Sequence, residues 1–292
     1  MTVKILTDSV ADVPAEVAKK LNITVIPLQV VIKKKGYRDD GVEITVEEFY
    51  KQIRGMKAND SNFPTTSGPL LDDFIKAYKD SLKEADEIVA VVVSSKLSNT
   101  YQHALLAREN KTISRKDKEK IKVIDSGWGA MAEGLLAISA AELALEGKNA
   151  KEIIASIEGN KSRIYFLAIL DTSEYVKRGG RVKIVITQQI LPRTNYKPIM
   201  TLKNGDGKSL GLVRSSKRIA RFLQFLNNHP QAEAIGLEYS PDAEGEIEKM
   251  AAQIAKEIDS LYSSEIPCYQ SIFTPVMGTQ AGPGVIAISV RE

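Results

Sequence analysis

The chain has 292 residues, of which 43% are hydrophobic and 26% are charged, and its formal net charge at pH 7 is +3. This composition excludes an intrinsically disordered chain and indicates a globular protein, while the length favours two domains. Basic residues mostly alternate with acidic ones, as in KDKEK at 116–120, which argues against a nucleic-acid-binding surface.

Cysteine content and hydropathy bear on where the protein works. Cys268 is the only cysteine, so the chain forms no intramolecular disulfide, and a reducing, cytoplasmic location is expected. The apolar run at the N-terminus stops at Thr7-Asp8-Ser9, which is too short for a signal peptide. Since no segment approaches the ~20 apolar residues of a membrane span, we predict a protein that works from solution.

The first half of the chain alternates short β-branched runs with segments of helical period. This alternation predicts a parallel sheet with crossover helices in an N-terminal domain, residues 1–160. The predicted elements are a strand at 3–6, a helix at 14–21, an extended segment at 23–32, a helix at 46–56, a loop at 57–69, a helix at 71–81, a strand at 88–93, a helix at 101–109, a strand at 121–124 and helices at 129–146 and 150–160.

The second half has a different pattern and is predicted to form a C-terminal domain, residues 161–292. Several of its connections allow antiparallel pairing, so its fold is α/β or α+β. A glycine-rich loop at 278–284 is predicted to enter the last strand. The other predicted elements are strands at 164–170, 197–202, 234–239 and 284–290 and helices at 172–178, 215–227 and 243–261.

Three hydroxyl-rich segments, at 7–9, 65–67 and 94–100, follow predicted strand ends or lie on a neighbouring loop. Ligands of open α/β sheets bind at such strand ends, and Ser98 precedes a predicted helix whose N-terminus favours an anion. These segments therefore predict a site for a carboxylate. The alternative is that Ser98 is a helix cap, that Thr66 is a turn residue and that the Asp8 side chain hydrogen-bonds the backbone of its own loop.

Other chemistry finds little support in the sequence. Arg181 and Arg214 follow predicted element ends and could pair with an acidic ligand, or they could be ordinary surface residues. No P-loop or convincing GxGxxG pattern is present, and two histidines without a GxSxG motif do not indicate a catalytic triad. No metal-ligand spacing is recognisable, so neither a metal nor a cofactor is expected.

Six segments are distinctive in combination: TDSVADVP at 7–14, PTTSGP at 64–69, SSKLSNTYQ at 94–102, RGGR at 178–181, KPI at 197–199 and GTQAGPG at 278–284. In this order they resemble the motifs TDSxxDLP, TSQPS, SSxLSGTYQ, KGGR, KPI and HxGPG of the DegV family of fatty-acid-binding proteins. The resemblance covers essentially the whole chain.

This resemblance implies two α/β domains with one long-chain fatty acid buried in an apolar tunnel at their junction. It assigns the fatty-acid carboxylate to Thr66 and Ser98. It further implies a non-catalytic carrier without a cofactor, which presents its acyl group to a separate fatty-acid kinase for acyl-phosphate formation and phospholipid synthesis. Supporting contacts to the head group or the partner are expected from Ser9, Ser95, Arg181, Arg214 and Gln280.

The chain departs from the family motifs at several positions. Gln280 replaces a histidine and cannot exchange a proton near neutral pH, which puts coupling to a kinase in question. Gly68 and Leu70 replace the glutamine and serine of TSQPS, and Asn99 replaces a glycine. Two alternatives therefore stay open: a binding protein for another amphiphile or anionic metabolite without a kinase partner, and a hydrolase or transferase that uses Ser98 or Asp125.

Overall fold

The computed structural model describes residues 1–57, 59–180, 195–203, 205–262 and 265–292. Within these residues the strands assemble into three sheets. The strands are β1 (Val3–Asp8), β2 (Thr24–Ile26), β3 (Gln29–Ile32), β4 (Lys35–Arg38), β5 (Thr65–Ser67), β6 (Glu87–Val92), β7 (Ile121–Asp125), β8 (Ile164–Ile169), β9 (Tyr196–Lys203), β10 (Asp206–Arg214), β11 (Ala234–Tyr239), β12 (Cys268–Ile272) and β13 (Ile286–Arg291).

The helices alternate with these strands along most of the chain. Among the described helices, none combines the length and the apolar character needed to cross a membrane. They are α1 (Ala15–Lys20), α2 (Val46–Ile53), α3 (Leu71–Ser81), α4 (Thr100–Arg108), α5 (Arg115–Lys120), α6 (Met131–Leu145), α7 (Ala150–Asn160), α8 (Glu174–Gly179), α9 (Arg218–Asn227), α10 (Glu246–Leu261) and α11 (Pro275–Ala281).

The first sheet has the strand order β2-β1-β6-β7, and every pairing in it is parallel. Its central strands β1 and β6 are buried on both faces, which is why they read as continuous apolar runs. A small antiparallel sheet, β4-β3-β5, lies beside it. The predicted parallel sheet with crossover helices is confirmed.

The second large sheet has the order β10-β9-β8-β13-β11-β12. Among its described strands, β11 and β12 pair in parallel and the other pairings are antiparallel. The antiparallel pairing expected in the second half is therefore confirmed, and the fold as a whole is α/β. The division into residues 1–160 and 161–292 stays a prediction.

Helix α6 packs between the two large sheets. Its first eleven residues, 131–141, are all buried, as expected for a helix that is apolar around most of its circumference. A Cβ added at Gly134 would lie 2.4 Å from the carbonyl oxygen of Ala11, and one at Gly236 would lie 2.7 Å from the Cβ of Met131. The loop after β1 and strand β11 therefore pack directly on this helix, and one apolar core includes residues of both sheets.

The segment predicted to be extended at 23–32 contains two strands, β2 and β3, which belong to different sheets. Pro27 lies at the break and has no N–H to continue a strand ladder. The N–H of the next residue, Leu28, instead donates to the Ser9 hydroxyl at 3.1 Å. This change of direction carries the chain from the parallel sheet to the small antiparallel one.

Candidate functional site

A cavity of about 120 Å³ lies between helix α11, strands β8 and β9, and the loops that follow β1 and β6. Of the twenty described residues that line it, three have polar side chains: Thr66, Ser98 and Gln280. The rest of the described wall is apolar: Val10, Leu28, Val93, Leu97, Gly129, Ala130, Phe166, Ala168, Leu170, Val176, Met200, Leu202, Phe273, Val276, Met277, Ala281 and Val285.

Strand β8 illustrates how the sequence builds this wall. Successive side chains of a strand point to opposite faces of the sheet. Phe166 and Ala168 line the cavity, whereas Leu167 and Ile169 belong to a separate core cluster that includes residues of α9 and α10. Because residues of both faces are apolar, the strand reads as a continuous hydrophobic run, and its sequence does not reveal the cavity.

Thr66 and Gln280 are joined across the cavity wall. Thr66 lies on β5, where it pairs with Val30 of β3, so the loop predicted at 57–69 is wrong for residues 65–67. The Gln280 Nε2 donates a hydrogen bond to the Thr66 Oγ1 at 2.8 Å. This bond connects residues 214 positions apart and places both polar side chains at one point of the wall.

The predicted glycine-rich loop at 278–284 is wrong for residues 278–281, which belong to α11, whereas residues 282–284 do form a loop before β13. Pro275 stands in the first turn, and Gly282, with a φ of 82°, ends the helix. Gly278 serves packing, since a Cβ there would lie 2.5 Å from the Tyr50 hydroxyl. The helix fixes the direction in which Gln280 points.

Ser98 lies near the same end of the cavity. Its hydroxyl is 2.8 Å from the Thr100 hydroxyl and accepts a hydrogen bond from the Thr100 N–H at 3.3 Å. Gly68, two residues after Thr66, packs against Thr100 and His103, since a Cβ there would lie 3.8 Å from the Thr100 Oγ1. The loops that carry Thr66 and Ser98 are therefore neighbours.

His103 does not form a catalytic pair with Ser98 in this arrangement. Its Nδ1 lies 2.9 Å from the Pro69 carbonyl oxygen, so this nitrogen carries the proton and donates. Within the described part of the chain, the hydrogen bonds of the Ser98 hydroxyl go to Thr100. The geometry thus gives no support to the serine-dependent hydrolase considered above.

Of the other predicted head-group residues, none joins the cavity lining within the described chain. Ser9 is buried and its hydroxyl accepts the Leu28 N–H, so it supports the wall from behind. Ser95 is exposed, and its N–H donates to the Asp125 carboxylate at 3.2 Å. Arg214 is exposed and its Nε donates to the Tyr196 hydroxyl at 3.2 Å. Arg181 lies outside the described residues.

Ser9 and Ser95, which do not line the cavity, each have a hydrogen-bond partner within the described chain. The Ser9 hydroxyl bonds a residue 19 positions away and the Ser95 N–H one 30 positions away, and a head-group role for either residue stays a prediction. A role for Arg214 as a contact to a partner protein stays a prediction. Among the supporting residues that the structure describes, Gln280 alone joins Thr66 and Ser98 in the cavity wall.

Five buried carboxyl groups of the described residues lie behind the cavity wall, and none of them was predicted as a site residue. The Asp8 carboxylate accepts the N–H of Val10 at 2.9 Å and that of Val93 at 2.8 Å, and both valines line the cavity. The bond with Val10 shows that Asp8 does bond the backbone of its own loop. Asp12 accepts the Thr274 N–H at 3.0 Å, just before α11. The five residues are Asp8, Asp12, Asp39, Glu133 and Glu238.

Burial is the main reason why the pKa values of these five carboxyl groups are raised. It raises the pKa of Asp8 to about 7, that of Asp39 to about 7 and that of Glu238 to about 8. The pKa values of Asp12 and Glu133 are raised by burial and then by the negative charge of a neighbouring carboxyl. Within the described residues, no three His, Cys, Asp or Glu side chains are arranged to hold a metal ion.

A sequence model described as "Uncharacterised protein, DegV family" matches residues 2–292. The chain belongs to the DegV family. The resemblance carried by the six ordered motifs is thus confirmed over nearly the full length of the chain.

Individual DegV relatives agree with this assignment. A DegV domain-containing protein of Caldanaerobacter subterraneus is 32% identical over 99% of each chain. The structure of a DegV family protein from Thermus thermophilus, described as fatty acid binding, is 27% identical, with a TM-score of 0.82 and full coverage of both chains. The crystal structure of DegV from Bacillus subtilis, described as a fatty acid binding protein, is 26% identical, with the same TM-score and coverage.

Proposed function

We propose that this protein binds one long-chain fatty acid and acts as a carrier rather than an enzyme. The alkyl chain of the fatty acid occupies the apolar cavity, and the carboxylate of the fatty acid lies against Thr66, Ser98 and Gln280. The observation that carries the proposal is the cavity wall, which is apolar except for these three side chains among the described residues. Two solved relatives that are described as fatty acid binding support the same ligand class.

The energetics of such a ligand suit this wall. Burial of an alkyl chain contributes about 0.8 kcal/mol per methylene, so a long chain supplies the affinity. A buried carboxylate is costly unless hydrogen-bond donors meet it, and hydroxyl groups and a side-chain amide can provide them. The wall thereby selects a molecule with one polar end and a long apolar remainder.

Extraction of the purified protein with organic solvent, followed by mass spectrometry, is expected to release close to one fatty acid per chain. The variant Ala168→Leu, which adds three carbon atoms to the cavity wall, is expected to retain much less lipid because the added side chain occupies space that the alkyl chain needs. Lipid content per chain is the quantity compared.

Leu167→Met is the matched control, because Leu167 lies on the same strand, β8, but faces the core cluster that includes residues of α9 and α10. This variant is expected to keep the wild-type lipid content. If the wild-type protein carries no fatty acid and takes up none that is added, fatty-acid binding is wrong. A different amphiphile in the same spectrum would instead identify another ligand class for the cavity.

We also infer a partner for the bound acyl group. In this proposal the carboxylate is presented to a separate fatty-acid kinase, and the acyl phosphate enters phospholipid synthesis in the cytoplasm. The sequence supports a separate kinase because it has no P-loop of its own. Its single cysteine supports a reducing compartment.

The kinase proposal makes its own prediction. The palmitate-loaded protein, incubated with Mg-ATP, is expected to form no acyl phosphate until a fatty-acid kinase is added, because phosphoryl transfer requires an ATP site. Trapping of acyl phosphate with hydroxylamine measures the product. Product formed without a kinase would contradict the carrier role, and product absent with every kinase that accepts other DegV proteins would contradict the partner.

A further inference from the structure

Gly179, the last residue of α8, lies directly against the side chain of Gln280 on α11. A Cβ added at Gly179 would stand 2.2 Å from the Gln280 Oε1 and 3.3 Å from its Cδ. Real Cβ atoms essentially never approach so closely, so any side chain at position 179 would displace the amide. The same amide donates to Thr66 through its other end, the Nε2.

The backbone gives no separate reason for a glycine at this position. Gly180, the next residue, has a left-handed φ of 63°, which favours glycine. Gly179 is not among the residues with positive φ and is part of the helix, where alanine is the better helix former. The absence of a side chain at Gly179 therefore matters for the contact with Gln280.

Helix α8 is held in place by contacts with Met56 and Phe63. The Tyr175 hydroxyl donates to the Met56 carbonyl oxygen at 3.3 Å, and the Tyr175 ring packs on that of Phe63 with 5.1 Å between centroids. The Arg178 guanidinium donates to the Phe63 carbonyl oxygen at 3.2 Å. These contacts tie α8 to the segment that leads into β5 and Thr66.

The Gln280 amide is thus confined between the backbone of Gly179 and the hydroxyl of Thr66. We propose that Gly179 is a positioning residue for the polar end of the cavity: its missing side chain leaves the space that holds the Gln280 amide against Thr66. The proposal rests on the proposed function only where it concerns the fatty acid. The contacts of the Gln280 amide with Gly179 and Thr66 are independent of what the cavity binds.

The test compares Gly179→Ala in two backgrounds, wild type and Gln280→Ala. In the wild-type background we expect palmitate to bind the delipidated protein about tenfold more weakly, which is the loss of about one hydrogen bond of 1.4 kcal/mol. In the Gln280→Ala background, where the displaced atoms are gone, the same substitution is expected to leave the palmitate Kd unchanged. Titration calorimetry measures all four proteins.

Gly159→Ala is the matched control, because Gly159 also lies in a helix and has no atom within 4 Å of an added Cβ. It is expected to keep the wild-type Kd. An equal loss of affinity from Gly179→Ala in both backgrounds would overturn the proposal, since the effect would then come from α8 itself. An unchanged Kd in the wild-type background would overturn it as well.

A second readout does not depend on the ligand. The side-chain amide resonances of Gln280 in the unliganded protein are expected to shift in Gly179→Ala and to keep their positions in Gly159→Ala. If the wild-type protein binds no palmitate, the proposed function fails while these resonances still decide the role of Gly179. If the resonances do not move, the positioning role fails whatever the protein binds.

Discussion

Replacement of Thr66 by valine together with Ser98 by alanine is expected to weaken fatty-acid binding by at least about 100-fold. Each hydroxyl would donate a hydrogen bond to the carboxylate, and bonds to charged groups contribute about 1.5–3 kcal/mol each. Valine preserves the β-branched shape that suits β5. Calorimetric titration of the delipidated protein with palmitate measures the change in Kd.

The matched control is the pair Thr65→Val and Ser95→Ala. Both residues are exposed, each lies close in sequence to one of the proposed ligands, and neither lines the cavity. The control protein is expected to bind palmitate with the wild-type Kd. If the test pair leaves the Kd unchanged, the carboxylate lies elsewhere. If both pairs weaken binding equally, the effect comes from distortion of the loops.

The elements that were predicted well from the sequence are those with a clear pattern of apolar residues. Helix α3 occupies the predicted residues, Leu71–Ser81, and its acidic first turn and amphipathic face account for that agreement. Strand β6 was predicted to within one residue at each end, because six consecutive apolar residues mark a buried strand. In both cases local residues determine the structure.

Other elements depend on contacts that a local pattern does not contain. Strand β5 exists because residues 65–67 pair with β3, more than thirty positions earlier in the chain. Helix α11 contains Gly278, which reads as a loop residue until the close approach of Tyr50 explains it. Long-range packing therefore overrides the local preference in both segments.

The same limit applies to the candidate site. From local spacing alone, Thr66 could be a turn residue and Ser98 a helix cap. The family resemblance identified the two residues as carboxylate ligands. Their placement in one cavity wall is consistent with that choice. The buried acids of the site region had no such signal, because a carboxyl group in a sequence is expected to be exposed until tertiary packing encloses it.

These buried acids are expected to make the protein less stable as the pH rises from about 4 to about 8. Burial raises the folded-state pKa of Asp8 and of Asp39 to about 7 and that of Glu238 to about 8, above the values near 4 of an unfolded chain. Between those pH values the folded state binds more protons, so the free energy of unfolding decreases with pH.

The size of this effect is large relative to typical stabilities. For Asp8, a pKa of about 7 in place of 3.8 corresponds to about 4 kcal/mol of stability, present below pH 4 and lost once the pH exceeds about 7. The exposed Asp80, whose pKa its lysine partners lower to about 2, acts in the opposite direction, but only below about pH 4. The two effects therefore occupy different pH ranges.

Glu238→Gln tests this assignment in urea unfolding experiments between pH 4 and pH 8. Glutamine keeps an oxygen that can accept the Met131 N–H, now bonded at 3.0 Å, but it carries no proton to lose. We expect the free energy of unfolding of this variant to fall less steeply with pH than that of the wild type. Glu146→Gln, at the exposed end of α6, is expected to retain the wild-type slope. A wild-type stability that is constant or increases over this range would show that the buried carboxyls are ionised in the folded protein, with partners that compensate their charge.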